Sequence, residues 1–332
     1  MKRFLITTLK LLVSAGLTGI LLRQLNWTQL AGAFARADLW LLAAAALLFA
    51  LSNVLGTVQW YLLLRAQHLS ISFYQSLIFY HVGVFFNNVL LGNIGGDALR
   101  IYDLKRLTGH ASGGIAATFM DRFIGLFSTC SLALAVYLLL AQVRVSGLVS
   151  ALLPIWLGLC LLLAVGLSQR LGKAMDTHLF RFLPSRPRQL VQQLRHSVGV
   201  YRHRTRLLLG VGILSLIVQF LRILVYWVAG LAVGMQTGLL YFVCFQPVAA
   251  IIAALPISIG GLGVRENILV ELFSRAGADH NTAFAMSLLG YIAGILASLA
   301  GGIAFVLRRI ERHSTPSPER ATHVQPPGSS GD

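Results

Sequence analysis

Two stretches far apart in the chain read alike: Asn93-Ile-Gly-Gly-Asp-Ala-Leu-Arg100 and Ser258-Ile-Gly-Gly-Leu-Gly-Val-Arg265. Each carries Ile-Gly-Gly with an arginine four residues after the second glycine. Paired glycines break a helix. A half-helix that restarts at membrane depth turns unpaired N–H groups and the positive end of its dipole toward whatever lies before it. An arginine in the first turn adds a cation whose fork of donors suits two oxygens of one phosphate. One such break in each half of a membrane chain is where carriers place an anion site.

The second stretch extends to Pro256-Ile-Ser-Ile-Gly-Gly-Leu-Gly-Val-Arg265-Glu266, with Pro256, Gly260, Gly261 and Gly263 as helix breakers. Broken backbone inside a bilayer is tolerated only within protein or beside a water-filled cavity. Arg265 and Glu266 are neighbours, and neighbours on a helix point to different faces, so a direct pair is not expected. In the first stretch, Gly95 and Gly96 are the break, and Asp97 is placed to cap the following helix. Asp97 can also pair with Arg100 at the i,i+3 spacing. Asn87, Asn88 and Asn93 bring amides into an apolar run, where each needs a partner. These groups either bind a ligand or satisfy the backbone of a hairpin.

Asp121 and Arg122 stand near the start of one apolar segment, and Arg222 lies deep inside another. A charge at bilayer depth costs roughly 3 kcal/mol on insertion scales, so such groups are paired or line a cavity. An Asp121–Arg222 interhelical pair is expected, with Arg122 facing headgroups; all three are also candidates for substrate binding. His81 reads as a satisfied interior histidine, and Glu271 as a weaker site candidate.

The elements that must hold these groups are membrane helices. Of 332 residues, 56% are hydrophobic and only 11% charged, with mean hydropathy +0.75. A soluble domain carries roughly a quarter charged residues. Apolar segments fall at about 5–23, 39–64, 74–96, 112–140, 147–167, 207–234, 239–257, 262–275 and 282–307. They are continuous rather than alternating, which excludes a β-barrel reading. Cys130, Cys160 and Cys244 sit in apolar stretches without CxxC spacing, so buried free thiols are expected. No HExxH, GxSxG or Walker loop occurs, so neither a metal nor another cofactor is expected.

The net charge is +16. In a membrane protein this reports cytoplasmic loops rather than a nucleic-acid partner. The connection 168–206 carries nine Lys and Arg against the single acid Asp176, and must face the cytoplasm. It reads either as amphipathic helices on the inner leaflet, broken at Pro184 and Pro187, or as a solvated loop. If 74–96 crossed the membrane fully, that loop would face outside. If 74–106 enters and returns, every basic connection falls inside, and the same logic makes 239–275 return. The expected architecture is thus an all-α polytopic membrane protein. It has about six full spans and two re-entrant hairpins in an inverted repeat, with halves about 1–146 and 147–312. Both termini are cytoplasmic, and 313–332 is a disordered tail.

With Asn93-Ile-Gly-Gly-Asp97-x-x-Arg100, Asp121-Arg122 and Pro256-x-Ser-x-Gly-Gly-Leu-Gly-x-Arg265-Glu266, the chain resembles a family named for the transmembrane region of lysylphosphatidylglycerol synthase. That family includes the flippase-like domain of bacterial multiple peptide resistance factors. The resemblance covers about 1–310. It implies a lipid-handling domain of a bacterial inner membrane, whose ligand is an anionic phospholipid or a polyprenyl or other lipid phosphate. The soluble aminoacyltransferase domain of the two-domain members is not expected beside these segments, and an enzyme is therefore not expected either. A lipid-modifying transferase, or an accessory subunit serving a separate synthase, stands as the alternative.

Overall fold

The computed structural model describes residues 26–89, 95–139, 148–168, 198–254 and 263–314. The expected first span at 5–23, most of the basic connection, the hairpin tips at 90–94 and 255–262, and the tail after Ser314 lie outside these residues. Among the described residues all regular structure is helical, in the order α1 (Trp27–Ala35), α2 (Leu39–Ala66), α3 (Phe73–Val89), α4 (Gly95–Thr108), α5 (Ser112–Leu139), α6 (Leu148–Leu167), α7 (Thr205–Ala232), α8 (Leu239–Ala254), α9 (Val264–Arg275) and α10 (His280–Ser314).

Four of these are long and apolar enough to cross a bilayer: Leu39–Ala66, Ser112–Leu138, Thr205–Ala232 and His280–Arg308. Two further apolar stretches, Leu152–Gly166 and Leu239–Ala253, are shorter. A helix satisfies its own backbone donors and acceptors, which hydrocarbon cannot do. Leu47, Leu51, Leu161, Leu209, Ile213 and Ile303 all face outward and exposed. An apolar helix whose outer face stays apolar is made for lipid. The chain is an integral membrane protein of helices.

Local sequence sets the helix ends. The carboxylate of Asp38 accepts from Trp40 N (2.8 Å) and Leu41 N (3.3 Å) and starts α2. Asn26 does the same for α1, a short helix the hydropathy reading did not separate.

α2 and α7 are both 28 residues long and pack antiparallel. At one end Asp38 N donates to Ala232 O (2.9 Å). At the other, Tyr201 Oη donates to Leu63 O (3.0 Å), and Arg204 Nη2 lies 3.0 Å from His68 Nε2. Around this pair the packing is symmetric. α3 packs on α10 as α8 packs on α5; α3 on α4 as α8 on α9; α2 on α10 as α7 on α5; and α1 on α10 as α6 on α5. Exchanging α1–α5 with α6–α10 leaves the pattern of substantial helix contacts unchanged.

α3 runs antiparallel along α10. Phe79 lies under Arg308, with 5.3 Å from guanidinium to ring centre, and Gly301 abuts the His81 carbonyl. The far end of α3 reaches Tyr291 and Gly294, near the middle of α10: Tyr291 Oη donates to Asn88 O (2.8 Å) and Asn88 Nδ2 to Gly294 O (3.2 Å). α4 then brings Asp103 back to Arg308 (2.8 Å). The end of α3 thus stands near mid-height of its longest neighbour.

Candidate functional site

Among the described helices lies a cavity of about 450 Å³. Of the candidates from sequence, Asn87, Asp97, Arg100, Arg122, Arg222 and Arg265 line it, and so does Asn88. Residues more than a hundred positions apart therefore converge. Asn93, Pro256, Gly260 and Gly261 fall outside the described residues.

The first half builds its part around Asp97. Asp97 sits in the first turn of α4 rather than at its cap, because the helix already begins at Gly95. The capping is done from α3: Asn87 Oδ1 accepts from Gly96 N (2.9 Å), and Asn87 Nδ2 donates to Asp97 Oδ1 (3.1 Å). Gly96 is required here, since a Cβ would collide with the Gly83 carbonyl. Asp97 receives a two-pronged contact from Arg122, Nε at 2.8 Å and Nη2 at 2.7 Å. Arg122 is thus turned to a carboxylate rather than to headgroups, although it is 49% exposed. The expected Asp97–Arg100 pair is present at 3.4 Å.

Arg100 is only 3% exposed. It donates from Nη2 to Asp121 (3.1 Å) and lies over the rings of Trp60 (5.0 Å) and Tyr80 (5.2 Å). Asp121 also accepts from Gln59 Nε2 (2.9 Å). The expected Asp121–Arg222 pair does not form. Arg100 and Gln59 occupy the carboxylate, and Arg222 has no ion pair among the described residues.

The second half repeats the plan with different parts. Gly263 starts α9 at φ +78°, a conformation that L side chains rarely adopt. Glu266 folds back so that Oε2 accepts from Gly263 N (2.7 Å). This leaves Oε1 for Arg265, which donates from Nη2 (2.6 Å) and Nε (3.2 Å). The pair that helix geometry argued against thus exists, because the capping bend swings the carboxylate toward its neighbour. Arg265 lies against Tyr291 (4.8 Å) and Tyr226 (5.9 Å). Asp121 and Glu266 stand behind the lining and hold its arginines.

His81 bonds the Leu77 carbonyl (2.9 Å) as an interior histidine would. Glu271 pairs with Arg275 on an exposed face, away from the cavity. Cys130 and Cys244 are buried free thiols, while Cys160 is half-buried. No group of His, Cys, Asp and Glu suited to a metal ion occurs among the described residues. The lining also includes Asn53, Tyr80, Gln219, Tyr226, Gln246 and Tyr291, which the motif reading missed. The amides carried a usable signal, being polar residues inside apolar spans; the tyrosines carried none.

Over residues 7–302 the chain matches the family described as Lysylphosphatidylglycerol synthase TM region. The chain belongs to this family. Among curated relatives, a UPF0104 membrane protein of Methanothermobacter thermautotrophicus is 28% identical over 289 residues, covering 80% of this chain and 82% of the relative. UPF0104 membrane protein PH1989 of Pyrococcus horikoshii is 22% identical over 297 residues, covering 82% and 89%. Both relatives are archaeal.

Proposed function

We propose that this protein binds a lipid phosphate headgroup in the central cavity and carries it between leaflets while the acyl chains stay in lipid. The observation that carries this reading is the cavity itself: four arginines brought to mid-height of apolar helices, where a cation is stable only when paired or facing a ligand. The exchange symmetry of the helix packing supports an inverted repeat, the arrangement through which carriers rock one half against the other. The reach of α3 to the middle of α10, and the return of α4, support a re-entrant hairpin; α8 and α9 are read the same way. With the first apolar segment and α6 as additional crossings, six spans result, residues 1–312 form one transmembrane unit, and both termini lie in the cytoplasm. The membrane is the cell membrane; the bacterial assignment follows from the family resemblance, while the two relatives above are archaeal.

The reading is of a carrier rather than an enzyme. Asp121 and Glu266, the residues a transferase would use as base, are each engaged by an arginine and a hydrogen-bond donor. A separate synthase as partner would dock through the basic connection 168–206. The test is reconstitution of the full chain into vesicles with a fluorescent phospholipid, with leaflet exchange read by quenching of the outer leaflet. Exchange faster than in protein-free vesicles is expected; equal rates for anionic and zwitterionic lipids alike would overturn the reading.

A further inference from the structure

Three of the four cavity arginines are neutralised before any ligand arrives. Asp97 and Asp121 hold Arg122 and Arg100, and Glu266 holds Arg265. Arg222 differs. It stands in the middle of α7, makes no ion pair among the described residues, and has its buried Nε without a hydrogen-bond partner. Residues 90–94 and 255–262 include no charged side chain. Across the same cavity lies Asn53 of α2. It is wholly buried, and neither its Nδ2 nor its Oδ1 has a partner. Buried polar atoms are rarely left unsatisfied, least of all on a charged group. Two orphaned groups on facing helices, both lining one cavity, mark where something else must bond.

We propose that Arg222 is the direct anion contact of the cavity, that Asn53 hydrogen-bonds the same ligand, and that the site takes one singly charged phosphodiester. This rests on the lipid-headgroup reading above and refines its chemistry. Arg100 and Arg265, the arginines of the repeated motif, then act as positioning residues. Each is packed against two aromatic rings and held by a carboxylate, so neither can swing to a ligand without losing both. The charge balance sets the class. Among the described residues, four guanidiniums against three carboxylates leave one positive charge, which a phosphodiester cancels. A phosphomonoester carries close to two negative charges near neutral pH and would leave an excess. A zwitterionic headgroup brings its own cation into a lining already rich in guanidinium.

The test uses the purified full chain in detergent with three dihexanoyl probes: phosphatidylglycerol, a singly charged phosphodiester; phosphatidic acid, a phosphomonoester; and phosphatidylcholine, a zwitterion. Phosphatidylglycerol should bind at least about tenfold more tightly than either of the others, a difference of one factor of ten in Kd. Arg222→Met should weaken that binding by about tenfold or more, yet raise the melting temperature of the lipid-free protein, because it removes a half-buried charge that has no ion pair among the described residues. Asn53→Leu should move both readouts in the same directions. A purely structural Arg222 would show the opposite, a lower melting temperature with affinity kept, and that result overturns the proposal. So does tighter or equal binding of phosphatidic acid or phosphatidylcholine. Arg222-dependent binding without leaflet exchange would sink the carrier reading and leave this one standing. Exchange undiminished in Arg222→Met would sink this one alone.

Discussion

Trp60 of α2 and Tyr226 of α7 hold equivalent places in the two halves. Setting Leu39 against Thr205, the first residues of two helices of equal length, brings them into register. Each lays its ring against the motif arginine of its own half, Trp60 on Arg100 and Tyr226 on Arg265. The same register sets Asn53 against Gln219, two amides that both line the cavity. Stacking lets an aromatic face share a guanidinium's charge where water is absent.

Trp60 is fully buried and donates from Nε1 to Thr118 Oγ1 (3.1 Å). Trp60→Ala should therefore cost about 3–5 kcal/mol, the range for deleting a large buried aromatic. Tyr226→Phe keeps the ring that meets Arg265 and should cost about 1 kcal/mol or less. Thermal unfolding of the two purified variants beside the wild type checks the ranking. Equal losses would mean that the Tyr226 hydroxyl, rather than its ring, carries the contribution.

The hairpin geometry is open to labelling. In a chain whose Cys130, Cys160 and Cys244 are replaced, single cysteines at Tyr74 and Lys105 flank the first hairpin, and those at Gln236 and Arg275 flank the second; all four positions are exposed. A membrane-impermeant maleimide added outside intact cells should label Gln236→Cys and Arg275→Cys. Tyr74→Cys and Lys105→Cys should label only after permeabilisation. If the two members of either pair labelled from opposite sides, that hairpin would be a full crossing.

Gly96→Ala should separate the limbs of the first hairpin. The added methyl meets the Gly83 carbonyl and the Asn87 amide, neither of which is free to leave. Overpacking of this kind costs typically about 1–3 kcal/mol. Gly212→Ala is the matched control. Nothing lies within 4 Å of its built Cβ, and alanine favours a helix by up to about 1 kcal/mol. A lowered melting temperature for the first and an unchanged or raised one for the second is the expected pattern.

Asp103 and Arg308 tie the end of α4 to the end of α10, with exposures of 5% and 19%. Arg308 also has buried Nε and Nη1 atoms without a partner. Asp103→Asn should leave that cation uncompensated and destabilise by about 3–5 kcal/mol. Adding Arg308→Met should recover most of the loss, since an apolar pair of similar volume is often as stable as a buried ion pair. Melting temperatures of the single and double variants measure the coupling.

Much of this was legible along the chain. Continuous apolar runs impose helices because hydrocarbon leaves the backbone no other partner, and α2, α5 and α7 fall within two residues of the segments read from hydropathy alone. The paired Ile-Gly-Gly stretches placed Arg100 and Arg265 at one site, and local spacing was enough for the Asp97–Arg100 contact. Which charges meet was a different matter. Asp121 was equally able to serve Arg222 or Arg100, and Arg122 equally able to face headgroups or Asp97. Only the approach of α2 and α4 against α5 chose between them, because an ion pair depends on ångström-scale separation between groups that are distant in sequence. The Glu266 bend that joins it to Arg265 depends on the backbone angle at Gly263, which spacing rules do not contain. That Arg222 has no ion pair among the described residues is likewise a tertiary fact: it follows only once Asp97, Asp121 and Glu266 have been engaged by other arginines.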